Sequence, residues 1–318
     1  MKEINIATAQ FQTRNGDKEY NFSRIESLTA KAAGAGAQVV SFHELSITSY
    51  SYLQKLERSE IFAIAEEVPE GPSTRRLIEI AHRHKVAVLA GLVEKEGDQL
   101  YNTYVCVSGE GLQAKFRKLH PFISRYMSPG NEYVVFDLYG WKCGILICYD
   151  NNVIENVRAT TLLGAEIIFM PHVTGCTPSP MPGRGWVDQK YWDNRDRDPE
   201  SLRAEFEGPK GRGWLMRWLP ARAYDNGIYV IFSNPIGPDD DQLKNGNSMI
   251  LDPYGEILAE CRSMGDEVVL ASCTPDKLEL AGGFRYKKAR RPGLYGEILA
   301  AEHDSALTVE WMKPDKRS

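Results

Sequence analysis

GILICYDNNVIENVRATTLLGAEIIFMP, residues 144–171, decides how the chain is read. GILIC is a continuous apolar run and reads as a strand. Tyr149, Asp150, Asn151 and Asn152 form a polar turn, and a helical pattern runs from about Val153 to Leu163, stopped by Gly164. EIIFMPHV (166–173) returns as strand. Cys148 therefore stands at the lip of a strand, where reactive groups gather in α/β proteins. A helix starting just beyond a thiol favours thiolate through its unpaired N–H groups and its dipole. The Tyr149 N–H would lie beside an oxyanion formed by attack at that sulfur. The competing reading is a buried, inert cysteine.

The same alternation extends in both directions. Strand patterns fall at INIATAQF (4–11), QVVSFHEL (38–45), VAVLAGLV (86–93) and YNTYVCVS (101–108). They recur at KFRK (115–118), VVFDL (134–138), WKCGILIC (141–148), IYVIFSN (228–234), SMILDP (248–253), EILAE (256–260) and EVVLASC (267–273). Helical patterns cover Tyr20 to Ala35 and Arg75 to His84. Alternating βα units mixed with hairpin strands imply a layered α/β protein with helices outside extended sheets. No repeat or low-complexity linker divides the chain, which predicts one domain over 1–276 and a C-terminal tail over 277–318.

Residues 175–220 break the rhythm. They hold no clear strand and carry Trp186, Trp192, Trp214 and Trp218, four of the six tryptophans. DPESLRAEF (198–206) reads as a helix capped by Asp198 with Pro199 in its first turn. A segment this long without strands is a surface elaboration, a subunit contact or a rim over the active site.

The totals narrow the function. The 318 residues are 42% hydrophobic and 25% charged, with a net charge of −5, enough for a buried core and without the basic face that nucleic acid requires. No segment reaches the roughly 18 apolar residues of a membrane span. The six cysteines form no CxxC pair and have no clustered histidines, which argues against a zinc site and predicts free thiols in a reducing cytoplasm.

Two further strand ends complete a set with Cys148. Glu44 closes QVVSFHEL, and Lys118 closes KFRK. A carboxylate that takes the thiol proton and an ammonium beside a developing oxyanion suit acyl transfer through a thioester.

In ordered motifs the chain resembles the nitrilase superfamily, the carbon–nitrogen hydrolases. HELSITSY carries Glu44 and Tyr50 in matching positions, and Arg117-Lys118-Leu119-His120 matches the lysine motif, with Ser128-Pro129-Gly130 after it. CYDNNVIENVR matches the cysteine motif at Cys148, Asp150, Glu155 and Arg158. Arg222 to Asn226, Asn247-Ser248, Asp252 to Gly255 and Arg290-Arg291-Pro292 resemble later family segments in the same order.

The resemblance implies a four-layer α-β-β-α sandwich, dimerised or assembled further into a homo-oligomer, with no metal and no organic cofactor. It implies Cys148 as nucleophile, Glu44 as general base and acid, and Lys118 as oxyanion support. Asp150 and Arg158 are expected to brace the nucleophile turn, and Tyr50, Tyr149 and His172 to contact substrate. The chain departs from the family in HPFISRYMSPG (120–130), where many relatives carry a second acid before the Pro-Gly. Glu132 is the candidate replacement, with Asp137, Glu207 and Asp225 as further choices. Tyr149-Asp150 after the cysteine resembles the amidase and carbamoylase branches, so the expected substrate is a small amide or N-carbamoyl compound. A nitrile is the alternative, as is a catalytically reduced member that acts as a binding or assembly partner. Arg125, Arg184, Arg195 and Arg212 are either solvated or suited to a substrate carboxylate.

Overall fold

The strand–helix–strand unit around Cys148 is present. Trp141–Ile145 and Ile167–Pro171 are parallel neighbours, with Cys143 opposite Ile167, and Ile154–Leu162 is the helix that joins them. The computed structural model describes residues 2–304 of the chain. In chain order, β1 (Ile4–Gln10), α1 (Lys18–Gly34), β2 (Val39–Ser41), α2 (Arg58–Ile64) and α3 (Pro72–His84) lead to β3 (Ala87–Glu96), β4 (Gln99–Ser108) and β5 (Gly111–Arg117). Next come β6 (Val135–Leu138), β7 (Trp141–Ile145), α4 (Ile154–Leu162) and β8 (Ile167–Pro171). The helices α5 (Gln189–Asp193), α6 (Pro199–Glu207), α7 (Arg212–Leu215) and α8 (Leu219–Asn226) follow. Then come β9 (Tyr229–Ser233), β10 (Ile236–Asp239), β11 (Gln242–Asn245), β12 (Met249–Leu251), β13 (Ile257–Glu260) and β14 (Glu267–Cys273). The described chain closes with α9 (Asp276–Leu280), α10 (Gly282–Lys288) and α11 (Pro292–Leu299).

Two six-stranded sheets result, ordered β14-β1-β2-β3-β4-β5 and β13-β12-β9-β8-β7-β6. Their packing follows from side-chain parity. Ile4 and Ile6 of β1 join Leu89, Tyr104 and Phe116 in one apolar cluster with Trp141, Ile145, Phe169, Tyr229 and Ile231 of the second sheet. Ala7 and Ala9, one position out of phase, turn to the opposite face and pack with Phe22, Ile25 and Leu28 of α1 and Leu77 and Ile80 of α3. With both faces covered, strands read as unbroken apolar runs, which is why VAVLAGLV is legible as a strand. Helices α4 and α8 cover the second sheet through Val157, Leu219 and Ala223.

Local chemistry fixes the helix ends. Asp17 caps α1 by accepting from the Tyr20 N–H at 3.0 Å. Pro72 opens α3, and Asp198 accepts from the Ser201 N–H to start α6, as its sequence predicts.

One expectation changes. The strand expected over 38–45 ends at Ser41, because the chain lifts off the sheet and turns through Leu45 at φ +48°. The loop then lies on Gly91, where a Cβ would stand 2.3 Å from the Leu45 nitrogen. Between β9 and β12 the chain forms the antiparallel hairpin β10–β11. Past residue 276 the chain stays packed, since Leu278 is buried and a Cβ on Gly283 would meet the Gly227 nitrogen at 2.1 Å. The rest of the expected tail, residues 305–318, lies outside the described residues. Among the described residues, no helix is long and apolar enough to cross a membrane.

Candidate active site

Three loops that leave the sheets bring Glu44, Lys118 and Cys148 together. Glu44 sits in the loop after β2, pressed onto Gly91 of β3. Lys118 is the first residue past β5, and its backbone N–H donates to Asn102 O at 2.9 Å. Gly130 folds back over it, donating to Lys118 O at 2.8 Å. A Cβ there would meet Arg117 O at 2.2 Å, which accounts for the Pro-Gly that follows the lysine motif. Cys148 opens a 3-10 turn, Cys148–Asn151, with φ +52°, a left-handed conformation that non-glycine residues adopt at an energetic cost.

Lys118 Nζ donates to Glu44 Oε1 at 2.5 Å, and Asn102 Nδ2 donates to the same oxygen at 2.6 Å. Glu44 Oε2 has no hydrogen-bond partner of ordinary geometry, yet Glu44 and the Cys148 thiol stand close enough to shift each other's proton affinity. Glu44 and Lys118 are each 1% exposed and Cys148 is 6% exposed. Burial raises the Glu44 carboxyl above its ordinary value, against the opposing pull of Lys118 and Asn102. Burial alone lowers Lys118, but the charges of Glu44, Cys148 and Asp150 outweigh it and leave the ammonium strengthened.

Burial and then the Glu44 charge push the Cys148 thiol up to about 12. The resting thiolate expected from a helix N-terminus is therefore corrected. Helix α4 begins only at Ile154, and desolvation governs the sulfur. The Glu44 carboxyl is the titratable group that acts most strongly on the sulfur.

The turn is tied from several sides. The Asp150 carboxylate accepts from the backbone N–H of Ile147, Leu119 and His120, at 3.2, 3.2 and 2.9 Å, and lies 2.9 Å from His120 Nδ1. It thus joins the nucleophile turn to the lysine loop. Arg158 does not share this role. It lies on the same face of α4 as the exposed Ile154 and Leu162, and donates to Asp225 O. Arg222 of α8 takes the place expected for it, donating to Asn151 O at 2.8 Å and Asn152 O at 3.0 Å.

Cys148 lines a cavity of about 110 Å³ with Tyr50, Tyr149, Phe122, Val173 and Trp214 among its walls. The Lys118 ammonium lies 5.5 Å from the Tyr50 ring centre and 4.9 Å from that of Phe122, just behind this lining. Tyr50 is buried, with its hydroxyl unpartnered, and Tyr149 is half-buried. His172 does not line the cavity. It is packed against Trp218 and Phe232, 3.1 Å from Asn151 Nδ2, and burial holds it neutral.

Glu132 is exposed and lines no part of the cavity. Of its alternatives, Asp137 pairs with Lys142, Glu207 pairs with Arg262, and Asp225 borders an outer groove on α8. Sequence reasoning missed Asp239, a buried acid held by Ser49 and Ser51 beside Tyr50. In GPDDDQ (237–242) no local signal separates Asp239 from the aspartates that follow it. From the 175–220 segment, Thr177, Pro178, Ser179, Arg184 and Trp214 line the cavity, whereas Trp186 is exposed and Trp192 is buried in a satellite cluster. Among the described residues, no three or more His, Cys, Asp or Glu side chains are placed to hold a metal ion.

The family model of the carbon-nitrogen hydrolases matches residues 5–282. The chain belongs to the carbon–nitrogen hydrolase family. It is 30% identical over 271 residues to the nitrilase of Pyrococcus abyssi, across 84% of this chain and 88% of that protein. It is 29% identical over 299 residues to an (R)-stereoselective amidase of a Pseudomonas species, across 92% and 94%. The citrullinase of Francisella tularensis is 28% identical over 315 residues, across 94% and 99%. Among solved structures, a mutant of the Nesterenkonia AN1 amidase from the nitrilase superfamily has a TM-score of 0.69 at 21% identity, covering 93% of this chain and 97% of that one. The α/β fold is thus that of a nitrilase-superfamily amidase, and the chain is a hydrolase of carbon–nitrogen bonds.

Proposed function

We propose that this hydrolase cleaves a small amide or N-carbamoyl compound through a thioester on Cys148. The observation that carries the reading is the buried convergence of Glu44, Lys118 and Cys148, with Lys118 Nζ 2.5 Å from Glu44 Oε1 and the thiol at the cavity wall. Glu44 takes the thiol proton as the sulfur attacks the carbonyl carbon. The oxyanion of the tetrahedral adduct is met by the Lys118 ammonium and the Tyr149 N–H. The C–N bond breaks as Glu44 returns the proton to the leaving ammonia or amine, and the acyl group stays on sulfur. Glu44 then takes a proton from water, which attacks the thioester. The carboxylic or carbamic acid leaves, and the proton returns to the thiol. Tyr50 and Tyr149 touch the substrate, and the 175–220 segment forms the rim.

Helices outside both sheets suggest a four-layer α-β-β-α stack. We propose that copies pair through the exposed Ile154, Leu162 and Leu299, which border one outer groove of the kind that a second chain covers. A nitrile is the second reading, favoured by the Pyrococcus abyssi relative.

Mass spectrometry after incubation with pooled amides, carbamoyl compounds and nitriles separates these readings. An acyl mass on the Cys148 peptide, absent from Cys148→Ala, is expected with amides or carbamoyl compounds. Ammonia release from nitriles alone would transfer the assignment to nitrilase. Glu44→Gln is expected to lower turnover by about 10²–10⁴-fold, and wild-type rates in a folded Glu44→Gln would remove the base assignment.

A further inference from the structure

We propose that Lys244, Gln242 and Arg184 form an anion subsite in the cavity, so that the preferred substrate carries a carboxylate at the end remote from its C–N bond. The inference rests on the reading that Cys148 takes the amide in this cavity. All three side chains line it together with Cys148.

Lys244 lies on β11 and is 1% exposed. A lysine is almost never buried so completely without an ionic partner. Its ammonium donates instead to a neutral group, the Gln242 side-chain carbonyl, at 2.7 Å. Asp239 is the carboxylate that acts most strongly on it. That group is already engaged, accepting from Ser49 Oγ at 3.3 Å and from Ser51 N and Oγ at 3.1 and 2.6 Å. Gln242 and Lys244 are two apart on one strand and so point the same way. The Gln242 Nε2 group is buried and has no acceptor.

Arg184 reaches the cavity from the 175–220 segment. Its guanidinium lies over the Trp214 ring at 3.7 Å and donates to Thr177 Oγ1 at 3.2 Å, while its Nε is buried without an acceptor. Of the insert arginines weighed from sequence, Arg212 is paired with Glu260, and Arg195 donates to Trp192 O over that residue's ring. Only Arg184 of these three lines the cavity.

The region therefore holds two cations and two unsatisfied donors, and Asp239, the carboxylate that acts most strongly on Lys244, is already committed. Burial lowers Lys244 and pushes Arg184 down to about 10, so both ammonium and guanidinium gain from an incoming anion. A planar carboxylate matches a guanidinium fork and accepts from several donors at once. Leaving buried donors unpaired is unfavourable, so a ligand that satisfies them binds better than one that does not.

The test uses Cys148→Ala, so that affinity is read without turnover. Glutaramate is titrated calorimetrically against 5-methylhexanamide, in which an isopropyl group replaces the carboxylate. Glutaramate is expected to bind at least about tenfold more tightly, and Lys244→Met in that background to reduce the ratio to near one. Arg184→Leu, at a less buried position, is expected to lower the ratio several-fold and serves if Lys244→Met does not fold. Equal affinities for the two amides, or a ratio unmoved in a folded Arg184→Leu or Lys244→Met, would overturn the subsite. Wild-type turnover separates this from the parent reading. Equal rates on both amides remove the subsite and leave the hydrolase. Selective binding of glutaramate with no acylation of Cys148 by any amide keeps the subsite and removes the thioester mechanism.

Discussion

The Cys148 turn and the segment from Thr177 to Arg184 border the same cavity but are held in opposite ways. The backbone around Cys148 is tied at many points. Asp150 accepts three backbone N–H groups, Asn151 Nδ2 donates to Leu146 O and Cys148 O, and Arg222 holds the next two carbonyls. Cys148, Asp150 and Asn151 are all buried. From Thr177 to Arg184 the chain has no regular secondary structure, and apart from the Arg184 guanidinium over Trp214 its ties are local: Arg184 to Thr177, the Arg184 N–H to Met181 O, and the Met181 N–H to Ser179 Oγ. The difference has a physical reason. A left-handed backbone at the reacting atom persists only where its surroundings over-determine it. A wall that selects among substrates needs only shape and charge, and tolerates change.

The sharpest way to break this comparison is Asp150→Ala. It leaves three backbone N–H groups without their acceptor, two of them on the lysine loop and one on the nucleophile turn. A displacement of about 1 Å between sulfur and carbonyl costs on the order of 10²-fold in rate. The expected result is a kcat loss of that size, uniform across substrates, with a lower melting temperature. A loss that varied strongly with substrate would place Asp150 with the wall.

Next in size is a paired test of the brace. Arg222→Met removes two charge-assisted hydrogen bonds to the turn, each worth about 1.5–3 kcal/mol. It is expected to lower kcat by about tenfold, whereas Arg158→Met leaves kcat within about twofold. Equal effects in the two variants would restore Arg158 to the turn.

That pair also shows where sequence reading stops. The buried strands were legible because burial on both faces leaves unbroken apolar runs, and Glu44, Lys118 and Cys148 were legible as polar residues closing such runs. Arg158 was misjudged because a motif specifies position along α4 but not which face of the helix meets the sheet. The period of 3.6 places it with Ile154 and Leu162, which are exposed. Lys244 and Asp239 were missed for another reason. Gly, Pro and three aspartates hide a short hairpin whose alternate side chains point inward, and only tertiary packing buries them. Among the tryptophans, composition marked the segment, but contacts select Trp214 as the cavity-lining residue and leave Trp186 in solvent.

Trp214→Ala tests the wall itself. It removes the ring beneath the Arg184 guanidinium while leaving the nucleophile turn intact. The expected outcome is a several-fold change in the ratio of kcat/KM between two amides, carried by KM, with less effect on kcat. Trp186→Ala is expected to leave that ratio unchanged. A uniform kcat loss in Trp214→Ala would mean that the wall and the turn move together.

The smallest effect on maximal rate, and the most specific, concerns Asn102. In the proposed mechanism Glu44 must be ionised to accept the thiol proton, so activity is expected to fall as pH drops through the carboxyl's pKa in the folded protein. Burial raises that value above the ordinary carboxylate range, and the acid limb of kcat/KM is expected to be raised with it. The hydrogen bond from Asn102 Nδ2 opposes the rise by favouring the charged form. Asn102→Ala removes this bond, so the limb is expected to move to still higher pH, and Trp214→Ala to leave it in place. A limb that stays put or moves down in Asn102→Ala would show that Asn102 does not hold the charged form of Glu44. A limb that moves in Trp214→Ala would show that the wall governs proton affinity at the base as well as choice of substrate.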